Sequence, residues 1–235
     1  QLPHLRRVVA ALAIPVLEER GVEADDVIGT LATRAAAAGT DVVIVTGDKD
    51  FQQLVSPRIS LLDTMYGRRT TLEDVRTRYG LEPERWVDVV GLMGDAIDNI
   101  PGIRGIGEKT AAALIRHAGS LEALLATLDD LETSGIRGAK GLAAKVAEHA
   151  DQTRLAKSLA VIKRDLPLVH ALDEFRSRPL HRPELEELCR EFEFHSLLRE
   201  LGTAAAETLA PALAAARSGT AVLAELAAAP QCAIV

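Results

Sequence analysis

The sequence predicts an α/β chain, with a mostly parallel sheet in its first half and only helices in its second. Asp41-Val42-Val43-Ile44-Val45-Thr46 is a β-branched run of the kind found in buried parallel strands, and helical patterns flank it. From Thr110 onward the chain shows only helical spacing and glycine-punctuated breaks. The halves meet between Gly94 and Ala111. There Asp95 and Asp98, spaced to share one face of a helical turn, precede a glycine hairpin that opens a new helix.

With 235 residues, 48% of them hydrophobic, the chain can bury a core. No run approaches the roughly 18 apolar residues of a membrane span, and Gln1 to Arg7 do not resemble a signal peptide. Cys189 and Cys232 follow neither a disulfide-scaffold nor a zinc spacing. A soluble protein of a reducing cytoplasm is expected, with no membrane partner. Because the chain starts without Met, directly in a helical pattern, a fragment is expected too.

The net charge of −7 is unevenly spread. Residues 1–100 carry sixteen acids against eleven bases, residues 101–170 eight against ten, and the remainder ten against six. A basic middle beside a segment of clustered Asp suits a protein that binds phosphate with one part and metal with the other. Charge alone also fits a solvated acidic surface, and by itself favours that reading.

In chain order, Leu5, Val8, Val9 and Leu12 mark an amphipathic helix with Arg6 and Arg7 on its other face. Ile14-Pro15-Val16-Leu17 reads as a short strand. Val27, Ile28 and Leu31 form the buried stripe of a helix that Gly39 stops, with Glu23, Asp25 and Asp26 around its first turn. An isolated pair of acids there is usually a helix-dipole partner, but three so close repel one another unless a cation offsets them. After the Asp41–Thr46 strand, Gly47-Asp48-Lys49-Asp50 leads into a helix-like Phe51–Val55. In open α/β sheets, sites form beyond such strand ends, although Asp-x-Asp alone is more often a capped turn.

Ile59–Asp63 reads as a strand, and Tyr66-Gly67-Arg68-Arg69 as a turn. Thr71 and Asp74 form a capping box, Gly80 ends that helix, and Pro83 opens the next, which runs through Trp86 to Gly94. Trp86 reads as core rather than as a stacking platform, since aromatics make up only 3% of the chain. Ser120 caps a helix through Leu128. A second break at Ser134–Gly141 leads into helices at Leu142–His149 and Gln152–Ile162. Arg137, Lys140 and Lys145 either extend a phosphate-binding face or are ordinary surface charges. From Gly202 the Ala-rich chain, with Pro211 and Gly219, reads as a linker, and Thr220-Ala221-Val222-Leu223 as the start of something new.

Four motifs now stand in register: Glu23-Ala24-Asp25-Asp26, Thr46-Gly47-Asp48-Lys49-Asp50, Gly94-Asp95 with Asp98-Asn99-Ile100-Pro101-Gly102, and Gly105-Ile106-Gly107-Glu108-Lys109-Thr110-Ala111. In order and spacing they resemble the 5′→3′ exonuclease domain of bacterial DNA polymerase I, within the flap endonuclease family, over about residues 1–200. The resemblance implies a partial α/β nuclease core (residues 1–93), a helix-hairpin-helix DNA-binding domain (94–200), and a linker with the start of a following domain (201–235). It implies hydrolysis of phosphodiester bonds at RNA primers and 5′ flaps with two Mg2+ or Mn2+ ions. Glu23, Asp25 and Asp26 would serve the first ion, and Asp48, Asp50, Asp95 and Asp98 the second. Hard cations of this kind take oxygen ligands. Gly102, Gly105, Gly107, Lys109 and Thr110 would hold the duplex backbone, and the hairpin resembles a monovalent-cation (K+) site. The implied setting is a monomer in the bacterial nucleoid, joined to polymerase domains.

The family pattern also has an upstream strand with an early Asp and a basic gateway that orders the 5′ end, and this sequence shows neither. An isolated chain with an unpaired sheet edge and no activity on flaps is therefore expected. A free-standing exonuclease is the alternative. A toxin-like ribonuclease would not need the hairpin half, and a non-catalytic DNA-binding module would have no reason to gather carboxylates near an anion that they repel.

Overall fold

The structure, a computed structural model, describes residues 2–203 and 233–234. Its helices are α1 (Leu2–Ala11), α2 (Ala24–Ala37), α3 (Leu72–Tyr79), α4 (Trp86–Met93), α5 (Glu108–Ala118), α6 (Leu121–Ala126), α7 (Ala139–Glu148), α8 (Ala150–Ala160), α9 (Arg182–Glu191) and α10 (His195–Thr203). Its strands are β1 (Val42–Val45), β2 (Ile59–Asp63), β3 (Arg68–Thr70) and β4 (Ala233–Ile234), in one sheet of order β3-β2-β1-β4. The chain divides by contact into two units, one of residues 1–47, 62–69 and 164–235, the other of 48–61 and 70–163.

In the first unit, Ala11 of α1 packs with Leu185, Leu188 and Cys189 of α9 and Leu201 of α10. Arg7 reaches Glu191 through paired hydrogen bonds of 2.8 and 2.7 Å. Val27 and Leu31 of α2 bury against Leu166 and Leu168. Arg34 donates to the carbonyls of both those leucines, and the Leu166 N–H donates to Thr30 Oγ1. Backbone groups that leave a helix-free stretch unpaired are thus taken up by α2 side chains.

The sheet departs from expectation in three places. Ile14–Leu17 is not a strand: the Ile14 N–H turns back to the Val9 carbonyl, and the segment has no ladder partner among the described residues. Leu17 instead packs against the α2 cluster. Arg68 and Arg69 lie in β3 rather than in a turn, because Asp63 Oδ1 accepts the N–H groups of Met65 and Tyr66 and closes the turn earlier. Where an unpaired sheet edge is expected, β1 carries β4 in parallel, with Val43 opposite Ala233 and Ile44 opposite Ile234.

The second unit is built around α4, whose residues Trp86 to Leu92 are all buried, as a helix apolar on nearly every side requires. It packs against α5 and α8. Asp88 is the exception within it, and at 1% exposure it needs a partner. Its Oδ1 meets Lys157 Nζ of α8 at 2.6 Å, an ion pair without hydrogen-bond alignment. Of Phe51–Val55, expected to be helix-like, all but Val55 belong to a 3-10 helix at Lys49–Leu54, which Val55 caps. Gln53 ties that helix to the end of α8, donating to the Ala160 carbonyl and accepting from the Ile162 N–H. The capping box of Thr71 and Asp74 opens α3, and Gly80 closes it in the left-handed region.

The expected linker from Gly202 and the stretch Thr220–Leu223 lie outside the described residues, apart from Gly202 and Thr203, which belong to α10.

Candidate active site

The site begins where two local structures bring acids inward. Asp48 caps the 3-10 helix, its Oδ1 accepting the Asp50 N–H at 2.8 Å, and the turn leaves Asp50 only 7% exposed. Trp86, the first residue of α4 and fully buried, donates its indole N–H to Asp50 Oδ1 at 3.3 Å. At the other end of α4, Gly94 takes a φ of +70° and the helix stops.

Asp95 and Ile100 then exchange backbone hydrogen bonds of 2.9 and 2.7 Å, closing a short loop with Asn99 in the left-handed region. Asp95 and Asp98 therefore do not share a helical turn as their spacing suggests. The loop brings them to Asp50 all the same. One carboxylate oxygen from each of Asp50, Asp95 and Asp98 lies within 4.8 Å of the others. All-oxygen donors at this spacing suit a divalent cation.

Electrostatics follow from the burial. Removal from water pushes the Asp50 carboxyl up to about 6, against the Trp86 hydrogen bond and with help from the charges of Asp48, Asp95 and Asp98. Asp95 is also penalised by burial, but the Lys49 ammonium at 2.9 Å and the Ile97 N–H at 2.8 Å outweigh it and hold its carboxyl below the usual range.

A pH dependence follows. If Asp50 ligates a metal ion, a proton competes for it below about pH 6, and metal affinity should fall with decreasing pH there. Calorimetric Mn2+ titrations at pH 5 and 8 check this, and Asp50→Asn should flatten the profile. An affinity unchanged between those pH values would remove Asp50 from the ligands.

The hairpin that follows is packed onto the same loop. A Cβ on Gly102 would lie 1.9 Å from the Met93 carbonyl oxygen, and one on Gly94 2.4 Å from the Gly102 nitrogen. Neither position has room for a side chain. The Ile103 N–H donates to the Leu92 carbonyl, and the Lys145 ammonium and Gln152 amide donate to the carbonyls of Arg104 and Gly102. Gly105 has a φ of +91°, while Gly107 has extended backbone, no neighbour within 4 Å of an added Cβ, and the N-cap position of α5. Lys109 is exposed in the first turn of α5 and Thr110 half-buried beside it. A cavity of about 520 Å3 is lined by Asp95, Ile100, Gly102, Arg104, Gly105 and Gly107, among others.

Glu23, Asp25 and Asp26 stand at the start of α2 in the first unit, with Asp26 buried. Among the described residues, neither they nor Asp48 join the three-acid group. Sequence reading missed Trp86 as a hydrogen-bond donor to Asp50, which no local pattern signals. It also passed over Lys49, whose place between Asp48 and Asp50 was the available clue.

Comparison with known proteins bears on this geometry. The family described as 5′-3′ exonuclease, N-terminal resolvase-like domain, matches residues 1–80, and its companion, the C-terminal SAM fold, matches residues 81–183. The chain belongs to the 5′→3′ exonuclease family. Among relatives of this family, DNA polymerase I of Pseudomonas aeruginosa is 47% identical over 202 residues, covering 86% of this chain and 22% of the relative. That of Bacillus caldotenax is 41% identical over 215 residues, covering 90% and 24%. The chain thus spans about a quarter or less of these relatives' length.

Solved structures share the exonuclease fold. T5 5′-exonuclease with divalent metal ions (zinc) bound superposes with a TM-score of 0.53 at 24% identity, over 62% of this chain and 52% of that one. The catalytic core of Rad2 in complex with DNA substrate gives a TM-score of 0.55 at 15% identity, over 85% and 69%. Among the described residues no helix is long and apolar enough to cross a membrane.

Proposed function

We propose that this chain is the 5′→3′ exonuclease portion of a DNA polymerase I and cleaves phosphodiester bonds at 5′ flaps and RNA primers on duplex DNA. The observation that carries the reading is the convergence of Asp50, Asp95 and Asp98 at the end of the helix whose next residues form the glycine hairpin. Asp50, Asp95 and Asp98 hold Mg2+ or Mn2+, with Asp48 completing that site. Glu23, Asp25 and Asp26 serve a second ion. When bound, such ions supply Lewis acidity and a water of lowered pKa for phosphodiester hydrolysis.

The chain's own contribution is orientation. Trp86 fixes one oxygen of Asp50, the Asp95–Ile100 bridge fixes Asp95, Gly102 lets the hairpin pack onto the end of α4, and Gly105 and Gly107 let backbone approach the duplex. The N–H groups at the start of α5, with Lys109 and Thr110, receive a phosphate. A K+ ion at the hairpin carbonyls, a monomeric state, covalent linkage to polymerase domains and a place in the bacterial nucleoid complete the proposal. A non-catalytic duplex-binding module would use the hairpin alone, and the acidic group argues against it.

Release of a 5′-labelled flap tests the reading, using this chain alone and extended at its N terminus by the corresponding residues of the Pseudomonas relative. Magnesium-dependent release by the extended protein, abolished by chelation, is expected. Release that survives chelation would overturn it.

The hairpin has its own test. Lys109→Ala should weaken duplex binding about equally for all sequences and lower the salt dependence by about one counterion. Binding isotherms between low and moderate salt measure this. A sequence-selective or salt-independent loss would assign the hairpin another role.

A further inference from the structure

The acidic group contains a positive charge that neither the family reading nor the mechanism above uses. Lys49 lies between Asp48 and Asp50 in sequence, and its ammonium sits 2.9 Å from Asp95 Oδ2, with its side chain 40% exposed. The other Asp95 oxygen already accepts the Ile97 N–H, so each oxygen of this buried carboxylate has a donor. A divalent ion held by Asp50, Asp95 and Asp98 would lie within a few ångström of the carboxylate oxygen that the ammonium occupies. Two like charges at that separation repel strongly in a partly buried setting.

We propose that the Lys49 ammonium is a resident counter-ion of the Asp50, Asp95 and Asp98 group, displaced from Asp95 when a divalent cation enters. The inference rests on the reading of these acids as metal ligands. Metal loading is then an exchange of cations rather than the filling of a bare acidic cluster. Lys49 offsets part of the repulsion among the acids when no metal is bound, and weakens metal affinity by the cost of moving the ammonium. Its exposed side makes the movement feasible, because the stem can carry the charge into solvent without opening the core.

The test uses a reporter already in place. Trp86 is the only tryptophan of the chain, and its indole N–H contacts Asp50, so its fluorescence reads occupancy of the site without any cleavage. The 235-residue chain is titrated with MnCl2 and with MgCl2 at pH 8 as wild type, Lys49→Met, Lys49→Arg and Asp98→Ala. Melting temperatures are recorded with and without metal.

Lys49→Met should bind metal about tenfold more tightly, as expected for removal of one nearby charge at partial screening. Without metal it should melt at a lower temperature than wild type, and saturating metal should raise its melting temperature by more. Lys49→Arg, which keeps the charge, should bind more weakly than Lys49→Met. If Lys49→Met folds only when metal is added, that is the same linkage in a stronger form.

Unchanged or weaker affinity in Lys49→Met, with binding still lost in Asp98→Ala, overturns the exchange and leaves the metal site standing. Failure of Lys49→Met to fold even in saturating metal overturns it as well. Absence of saturable binding in wild type, or binding untouched by Asp98→Ala, overturns both the exchange and the metal reading on which it rests.

Discussion

On the proposed reading, Asp98→Ala in the N-terminally extended protein should lower magnesium-dependent cleavage by at least about 100-fold while leaving duplex affinity unchanged or improved. Loss of a group that merely orients a metal ligand typically costs 10–100-fold, so loss of a ligand should cost no less. Asp98 is the cleanest choice because it is exposed and its removal leaves the core intact. Asp95→Ala mixes effects, since it also strips Lys49 of its partner.

Asp50→Asn should abolish cleavage and also stabilise the metal-free protein at neutral pH. Its folded pKa of about 6 lies above the ordinary carboxylate value, so the folded state binds the proton more tightly than the unfolded state. Stability from this group therefore falls as pH rises from about 4 through 6, and an amide removes the cost of the buried charge. Flap-cleavage rates, gel-shift affinities and melting curves at pH 8 decide the matter. Cleavage at the wild-type rate in either mutant would exclude that residue from the site.

Gly102→Ala is expected to be among the most damaging single-methyl additions in the second unit, costing about 3 kcal/mol or more. The new Cβ would lie 1.9 Å from the Met93 carbonyl oxygen and 2.6 Å from the Gly94 nitrogen, and both are backbone that cannot swing aside. Gly107→Ala, in the same motif, should cost less than about 1 kcal/mol. Nothing lies within 4 Å of its added Cβ, and its φ of −97° suits any residue. Comparing the two melting temperatures checks this. Equal effects would mean that the loop relaxes around Gly102.

What could be read from the sequence depended on how local its cause was. The caps at Thr71, Gly80 and Ser120, the strand at Val42–Val45 and the run of α4 were legible because each is set by neighbours within a few residues. Ile14–Leu17 misled because an apolar run becomes a strand only beside another strand, and there Leu17 finds a side-chain cluster instead. β3 was hidden because Arg68 and Arg69 look like turn residues, whereas the turn is made earlier by the Asp63 carboxylate.

The acids Asp50, Asp95 and Asp98 were found by motif, but the reason for their convergence was not. Their spacing suggested a helical turn, and the structure uses a bridge between Asp95 and Ile100. The partners of Asp50 and Asp95 show the same limit. Trp86 is 36 residues from Asp50 in sequence, and no spacing rule reaches that far.

The contact of Gly94 with Gly102 bears on where the cut falls. With no room for a side chain between their backbones, and with the Asp95–Ile100 bridge beside them, the start of α5 and the Asp95 carboxylate are joined by a strut rather than a hinge. On the proposed reading, a phosphate held at Gly107 and Lys109 is a fixed offset from the bond presented to the acids. The protein then acts as a caliper. It measures the cleavage position from the gripped duplex, so the nick should fall at one register whatever the flap's length or base composition.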